Sequence, residues 1–323
     1  MTCLKKIREY GFNLFSSGPV ILCRFADGKP TIDYTGADRL MTTAKELGFK
    51  GVMFYGSMVY GYNAYEIDAG AMQKAGFNDY SAFLKALFDD VRKHAEEKGW
   101  IPYYVNLCDE PRGDGLPKSI ANAQAYRKAF PQGPPFFTGA TSVTDIAKDP
   151  GHFQLAKALH IADLNLHSEE SVRAIQAAGS QWAFYNGGNR WTFGDYMYKT
   201  ARQFDMKFRI SWHWGSLMGD PYYNLDGCEH DYAWCNAGPD GQLIPSIEFE
   251  RLREGLGDYR RLVTLARLAK EKAGTPAAVA AEKLIADRLA SFKLGQRDHD
   301  ALFGIDDWKT FRLRVSDAID ALR

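Results

Sequence analysis

The sequence has 323 residues, of which 46% are hydrophobic and 14% aromatic, and it carries 40 basic and 40 acidic side chains. This composition supplies a large apolar core and excludes a disordered chain. Because the charges balance and no block of like charge stands out, we expect neither nucleic acid nor an anionic membrane as a partner. The five cysteines include no CxxC pair, so they predict neither a disulfide framework nor a zinc knuckle.

No stretch of the sequence is apolar over the roughly 18 residues that a membrane span requires. The first residues lead directly into an amphipathic segment, which differs from the apolar run of a signal peptide. We therefore predict a soluble protein, and the sequence leaves its compartment open.

Short β-rich segments alternate with helical ones over the first two thirds of the chain, after an opening helix at residues 3–10. Most predicted strands are continuously apolar or aromatic, as expected when both faces of a parallel sheet are covered. The strands are predicted at residues 12–16, 51–55, 101–107, 136–138, 162–166, 182–185 and 208–212. The helices between them are predicted at residues 36–48, 79–99, 119–130, 152–159, 168–178 and 193–204. Residues 20–34, with Asp27 and Gly28 at their centre, predict a β-hairpin.

This repeated alternation predicts an α/β fold, a (β/α)8 TIM-type barrel. Only seven strands are counted, and the opening helix is the kind of element that follows a first strand. We therefore expect the first strand, together with an upstream domain, to be missing from this chain. After residue 245 the pattern changes to three amphipathic helices. We predict a barrel domain at residues 1–245 and a C-terminal helical appendage at residues 246–323.

The first candidate for chemistry is the segment 103–111 (YYVNLCDEP), because barrel enzymes carry their active sites at the C-terminal ends of the strands. Here an apolar strand runs into two adjacent carboxylates, Asp109 and Glu110, and Pro111 ends it. Neighbouring strand residues point to opposite sides, so both acids reach the barrel mouth only if the backbone bends there. The alternative is an ordinary solvated acidic turn, which the position after a buried strand disfavours.

A pair of carboxyl groups is what hydrolysis of a glycosidic bond requires. One group protonates the leaving oxygen, and a second, negative group supports the developing oxocarbenium ion. If the missing strand is counted as the first, Asp109 and Glu110 end strand four. Strand seven, where retaining barrel glycosidases carry a nucleophile, runs into residues 185–190 (YNGGNR), which contain no carboxylate. Substrate assistance remains, in which the sugar's own 2-acetamido oxygen attacks the anomeric carbon.

Several segments of the sequence together resemble glycoside hydrolase family 123. They are residues 109–111 (DEP), 185–194 (YNGGNRWTFG), 210–215 (ISWHWG) with 220–224 (DPYYN), and 249–259 (FERLREGLGDY). The resemblance implies a (β/α)8 barrel with β-N-acetylgalactosaminidase activity. It also implies that Asp109 assists the acetamido group and that Glu110 is the acid/base. Barrels of this family usually follow a β-sandwich domain, so we expect such a domain as an upstream partner.

Residues at other strand ends are expected to bind the carbohydrate, because the C–H face of a pyranose packs on aromatic rings while its hydroxyls bond to polar neighbours. These candidates are Tyr55, Tyr185, Asn186, Arg190, Trp212, His213, Trp214 and Asp226. The two tryptophans are predicted as pocket walls, and Tyr185 as a donor to the acetamido carbonyl. Core packing is the alternative for each aromatic residue. Pairing with rim charges is the alternative for Arg190 and Asp226.

No cofactor or metal is predicted, because His213 has no second His or Cys at ligand spacing nearby. Three functions stay open at this point. The first is a retaining, substrate-assisted hexosaminidase. The second is a glycosidase of other specificity that recruits a carboxylate such as Asp220 or Asp226. The third is a carbohydrate-binding barrel without catalysis, which the intact carboxylate pair disfavours.

Overall fold

A computed structural model describes residues 2–26, 29–56, 58–60, 65, 69–132, 136–141, 146–187, 189–211, 234–238, 242–296 and 306–323. The chain divides into two compact units, Met1–Phe184 and Tyr185–Arg323. Among the described residues, no helix is both long and apolar enough to cross a membrane. The domain boundary predicted at residue 245 rests on the change from alternating elements to helices alone, and it stays a prediction.

Seven parallel strands form the main sheet of the described residues. All the described strands are β1 (Leu14–Ser17), β2 (Leu22–Ala26), β3 (Lys29–Asp33), β4 (Gly51–Tyr55), β5 (Tyr103–Asn106), β6 (Phe136–Thr141), β7 (Ile161–Leu164), β8 (Gln181–Tyr185), β9 (Arg209–Ile210), β10 (Cys235–Ala237) and β11 (Leu243–Pro245). The main sheet has the order β1-β4-β5-β6-β7-β8-β9. The main-sheet strands follow one another in sequence order, as in a TIM-type (β/α) barrel.

Helices separate the successive strands of the main sheet. In the first unit they are α1 (Thr2–Glu9), α2 (Thr35–Glu46), α3 (Ala69–Lys74), α4 (Tyr80–Lys98), α5 (Gly115–Ala129), α6 (Pro150–Ala158) and α7 (Glu169–Ala177). In the second unit they are α8 (Arg190–Phe193), α9 (Asp195–Gln203), α10 (Ile247–Glu271), α11 (Pro276–Ala290) and α12 (Asp307–Leu322). The predicted fold class, a TIM-type barrel followed by C-terminal helices, is confirmed.

The predicted hairpin is present, since β2 and β3 pair antiparallel from Leu22↔Asp33 to Ala26↔Lys29. Its turn, at residues 27 and 28, lies outside the described residues. The last predicted strand, residues 208–212, is shorter in the structure. The described part of this strand is β9. The N–H of Asn186, the residue after β8, donates a hydrogen bond to the Ile210 carbonyl of β9 at 3.2 Å.

Two helices differ from their predicted bounds for local reasons. Helix α5 begins at Gly115 and not at residue 119, because Pro117 is tolerated in a first turn, where no N–H is needed. The helix predicted at residues 193–204 is α9, and a short helix that was not predicted, α8, precedes it across Gly194. An added Cβ at Gly194 would lie 3.2 Å from the Arg190 carbonyl oxygen, so the glycine permits this tight connection.

The apolar core of the first unit lies between the sheet and its helices. Phe54, Val105 and Phe137 from neighbouring strands are at most 1% exposed, and the Phe137 ring lies 4.3 Å from the Tyr126 ring of α5. Burying each such side chain contributes roughly 1.5–3 kcal/mol to folding. Helix α4, which supplies much of the facing surface, is bounded by the Asp79 cap and by Gly99 at φ 61°. The core therefore fixes the positions at which the strands end.

Strand β6 passes very close to the segment that follows β5. A Cβ added at Gly139 would lie 2.5 Å from the Cys108 Sγ and 2.8 Å from a Leu159 methyl carbon. Such distances are shorter than van der Waals contact, so only glycine fits here. This close approach holds the Cys108 segment, and the two carboxylates after it, against β6.

We predict that Gly139→Ala lowers the free energy of unfolding by about 1–3 kcal/mol, because the added methyl group overpacks the site. Gly18→Ala is the matched control, since an added Cβ there meets no atom within 4 Å. Both substitutions reduce the conformational freedom of the unfolded chain to the same extent. The difference between their free energies of unfolding in urea therefore measures the effect of the clash alone. Equal stability of the two variants would contradict the close approach.

Candidate active site

The chain bends at the end of β5, as the adjacent carboxylates require. Glu110 has φ 44°, in the left-handed region that non-glycine residues rarely adopt. The bend is held by hydrogen bonds to β6, where the Ala140 N–H donates to the Cys108 carbonyl at 3.0 Å and the Glu110 N–H donates to the Ala140 carbonyl at 3.1 Å. Beyond it, the Pro111 carbonyl lies 3.1 Å from the His152 Nε2. The strained residue is therefore fixed on both sides.

Glu110 is held by a residue that sequence reasoning missed. Its Oε1 accepts a hydrogen bond from the Asn165 Nδ2 at 3.1 Å, and its Oε2 lies 3.5 Å from the Arg112 guanidinium. Asn165 is itself positioned, because its N–H donates to the Thr141 carbonyl at 2.9 Å and so extends the pairing of β6 and β7. The Glu110 side chain keeps 30% of its surface exposed. The sequence signal that could have revealed Asn165 was its position just past the end of a parallel strand.

Asp109 is solvent-exposed and receives a hydrogen bond from the Tyr55 hydroxyl at the end of β4. Burial, followed by this hydrogen bond to Asp109, raises the pKa of Tyr55 well above its usual value. Burial and the charge of Asp109 likewise raise the pKa of Tyr65, whose ring lies 6.2 Å from that of Tyr55. Both phenols therefore stay neutral, and Tyr55 acts as a donor to the carboxylate. Tyr65 was not predicted, because it lies in no recognisable element.

A third carboxyl group, that of Asp163 in β7, lies near Asp109. It is 4% exposed, and burial followed by the charge of Asp109 raises its pKa to about 8. Sequence analysis missed this residue too. The signal was an aspartate inside an otherwise apolar strand, residues 161–164 (IADL). The first unit thus places Tyr55, Asp109 and Glu110 at the C-terminal ends of the neighbouring strands β4 and β5, and the charge of Asp109 acts on the buried Asp163 within β7.

Tyr185 and Asn186 belong to the second unit, where they open a braced turn. Asn186 has φ 66°, and its carbonyl and that of Gly187 both accept hydrogen bonds from the Arg209 guanidinium. The turn ends at Asn189, whose side chain caps α8 by accepting from the Thr192 N–H at 2.9 Å. Tyr185 is partly buried at the end of β8. Their predicted contacts with a sugar stay predictions.

Arg190 forms an ion-pair network within the second unit. Its Nε lies 2.7 Å from Asp258 and its Nη1 lies 2.6 Å from Glu254, both of α10. The guanidinium also stacks 3.7 Å above the Trp308 ring of α12, while Arg312 contacts the same Asp258 at 2.6 Å. The side chain is only 9% exposed. Of the two roles left open for Arg190, the structure shows pairing with charged side chains. The segment 249–259 of α10 supplies the carboxylates that contact α8 and α12.

The remaining predicted residues cannot be placed. Trp212, His213, Trp214 and Asp226 lie outside the described residues, as does Asp220. In the part of the chain that the structure describes, no group of three or more His, Cys, Asp or Glu side chains is arranged to hold a metal ion.

We predict that Arg190→Lys lowers the free energy of unfolding by about 1–3 kcal/mol, because lysine keeps the charge but loses the paired hydrogen bonds and the stacking. Arg251→Lys is the matched control. Its partner Glu248 is an exposed neighbour on the same helix, and exposed pairs of this kind contribute at most about 1 kcal/mol. Urea unfolding of both variants measures the difference. A loss for Arg190→Lys no larger than the control's would refute the structural role.

Comparison with known proteins identifies the family. Residues 15–265 match the family model described as glycoside hydrolase 123, catalytic domain. Among solved structures, a family 123 glycoside hydrolase from Clostridium perfringens is similar, with 13% identity, a TM-score of 0.56, and coverage of 99% of this chain and 62% of that chain. ScGas2 matches with 12% identity, a TM-score of 0.47, and coverage of 80% and 59%. An endo-β-N-acetylglucosaminidase from Cordyceps militaris matches with 11% identity, a TM-score of 0.34, and coverage of 79% and 95%. No curated protein matches the sequence.

The similarity to the Clostridium perfringens hydrolase supports the barrel fold, and this chain spans 62% of the length of that protein. The family model covers most of the chain, including both carboxylates, Tyr55, Asn165 and the turn after β8. The chain belongs to glycoside hydrolase family 123, and the match is to the catalytic domain of that family.

Proposed function

We propose that this protein hydrolyses terminal β-linked N-acetylhexosamine, with N-acetylgalactosamine as the preferred sugar, by a retaining, substrate-assisted mechanism. The observation that carries the proposal is the pair Asp109 and Glu110, adjacent in sequence and held by different partners at one strand end. The absence of a carboxylate from residues 185–190 supports assistance by the acetamido group. The Clostridium perfringens relative is described as hydrolysing glycolipid glycans, which supports a carbohydrate substrate here.

Asp109 is proposed to act on the acetamido group. Its carboxylate accepts a hydrogen bond from the acetamido N–H, which aligns the carbonyl oxygen with the anomeric carbon. As this oxygen attacks, positive charge develops on the forming oxazolinium ring, and a preorganised carboxylate stabilises it. The Tyr55 hydroxyl supports this role, because its hydrogen bond fixes the carboxylate before substrate arrives.

Glu110 is proposed as the acid and then the base. In its neutral form the oxygen that accepts from Asn165 is the carbonyl oxygen, so the acidic proton lies on Oε2. That proton passes to the glycosidic oxygen as the bond to the anomeric carbon breaks. The resulting carboxylate then takes a proton from water, which attacks the anomeric carbon and opens the oxazolinium ring. Two inversions give overall retention.

We predict that Glu110→Gln lowers kcat/KM by about 10²–10⁴-fold for N-acetylgalactosaminides with poor leaving groups, which need a proton donor. The loss should be far smaller for a dinitrophenyl glycoside, because its stable phenolate leaves without being protonated. The later steps do not enter, since kcat/KM reflects only the steps up to departure of the leaving group. Glu97→Gln, at an exposed position of α4, is the matched control and should behave as wild type. Equal losses on both kinds of substrate would remove Glu110 from the acid role.

We predict that Asp109→Asn lowers kcat by about 10²–10³-fold, as for loss of one group that stabilises transition-state charge. Binding of free N-acetylgalactosamine, measured by calorimetry, should change little, because the group acts mainly in the transition state. The exposed Asp114, near the start of α5, supplies the matched control Asp114→Asn.

The wild-type protein tests substrate assistance directly. A thiazoline analogue of N-acetylgalactosamine should inhibit competitively and bind far more tightly than substrate, because it resembles the oxazolinium intermediate. A β-galactoside that lacks the acetamido group should not be cleaved. Efficient cleavage of plain β-galactosides with a trapped covalent glycosyl-enzyme would instead favour a carboxylate nucleophile such as Asp220 or Asp226.

A further inference from the structure

Asp163 lies within β7, between β6 and β8 of the main sheet. It pairs in register with Ala140 of β6 on one side and Ala183 of β8 on the other. Residues in register lie on the same face, so Asp163 is flanked by two small side chains that leave space around its carboxyl group. Asn165, two residues further along, lies on the same face one layer higher and holds Glu110.

One oxygen of the Asp163 carboxyl group lacks the hydrogen-bond partner that a buried charge needs. Its Oδ1 is fully buried and has no hydrogen-bond partner among the described residues. A buried carboxylate with an unsatisfied oxygen is strongly disfavoured, whereas a neutral carboxylic acid costs much less to bury. The position is therefore suited to the protonated form.

The neighbours of Asp163 also favour the neutral form. From the segment after β5 the charge of Asp109 acts on Asp163, and its register partners on β6 and β8 are alanines. Burial, with the charges of Asp109 and Asp163, raises the pKa of Cys108 to about 12, so the Cys108 thiol is also neutral.

Two histidines, His152 and His167, belong to neighbouring segments of the first unit. His152 contacts the Pro111 carbonyl and Asp149, and His167 packs on the rings of Trp182 and Phe184. The charge that acts on Asp163 is the like charge of Asp109, which raises its pKa further above that of a free carboxyl group.

We propose that Asp163 is a neutral carboxylic acid in the working protein and a positioning residue for Asp109, so that the two groups together carry one negative charge and Asp109 bears it. Two neighbouring carboxyl groups share a proton because both cannot ionise cheaply. Asp109 needs the charge to receive the acetamido N–H, and this part of the inference rests on the proposed function. Water stabilises the state in which Asp109 and Asp163 are both ionised. Because a bound sugar excludes this water, the doubly ionised state binds sugar weakly.

The first test needs no activity. Asp163 has a raised pKa of about 8 in the folded protein against 3.8 as its ordinary value, so the folded state keeps a proton that the unfolded state releases between these limits. Its contribution to stability is therefore full below pH 3.8, falls as pH rises, and is lost by about pH 8. The unfolding constant of wild type relative to Asp163→Asn should rise by up to about tenfold per pH unit within this window.

Thr141→Val is the control for local packing, because it alters a buried neighbour on β6 without removing a titratable group. It should leave the pH dependence of unfolding as in wild type. If Asp163→Asn folds poorly, Asp163→Ser carries the same expectation. Infrared difference spectra of wild type and variant at pH 7 should show the carbonyl stretch of a protonated carboxylic acid. A flat unfolding ratio, or absence of this band, overturns the neutral state of Asp163.

The second test measures binding of N-acetylgalactosamine by calorimetry. Wild-type affinity should fall above about pH 8, by up to about tenfold per pH unit, whereas Asp163→Asn should bind with an affinity independent of pH in this range. The same alkaline loss in both proteins overturns the positioning role. Absence of any sugar binding or turnover in wild type overturns the proposed function and with it the action of Asp163 through Asp109. The unfolding and infrared results decide the charge state of Asp163 independently of that outcome.

Discussion

At the end of β5 the chain must present two adjacent carboxylates at one end of the sheet, although alternation along a strand would send them to opposite sides. The left-handed backbone of Glu110 meets this requirement, at a local conformational cost that is offset by hydrogen bonds to β6. Those bonds depend in turn on the close approach at Gly139, where a larger residue would push β6 away from Cys108. The position of the carboxylate pair thus follows from backbone packing deep in the sheet.

Neighbouring strands then complete the site with one polar residue each. Tyr55 ends β4 and donates to Asp109, while Asn165 follows β7 and donates to Glu110. In a parallel sheet all these positions lie at the same edge, because every strand runs in the same direction. The two adjacent acids therefore have different partners, and different environments are what separate the roles of paired carboxyl groups in hydrolysis.

The charged groups of the two units serve different purposes. In the second unit, Arg190 is saturated by Asp258 and Glu254 and covered by Trp308, an arrangement that joins helices. In the first unit, Asp109 is exposed and receives a hydrogen bond from a neutral phenol. A charge that is paired with cations stabilises structure, whereas a carboxylate held by a neutral donor keeps its charge available to a ligand.

The sequence by itself determined the barrel class, the hairpin, the order of strands and helices, and the place of Asp109 and Glu110 just after a strand end, because apolar runs, helical periodicity and strand ends are local patterns. It did not reveal Asn165, Tyr65 or the burial of Asp163, nor did it decide between the two roles of Arg190. Those outcomes depend on which strand ends and helices meet, over separations such as the 55 residues between Glu110 and Asn165 or the 68 between Arg190 and Asp258. Only tertiary structure decides contacts of that range, because they arise from sheet register and helix packing and leave no periodic trace in the chain.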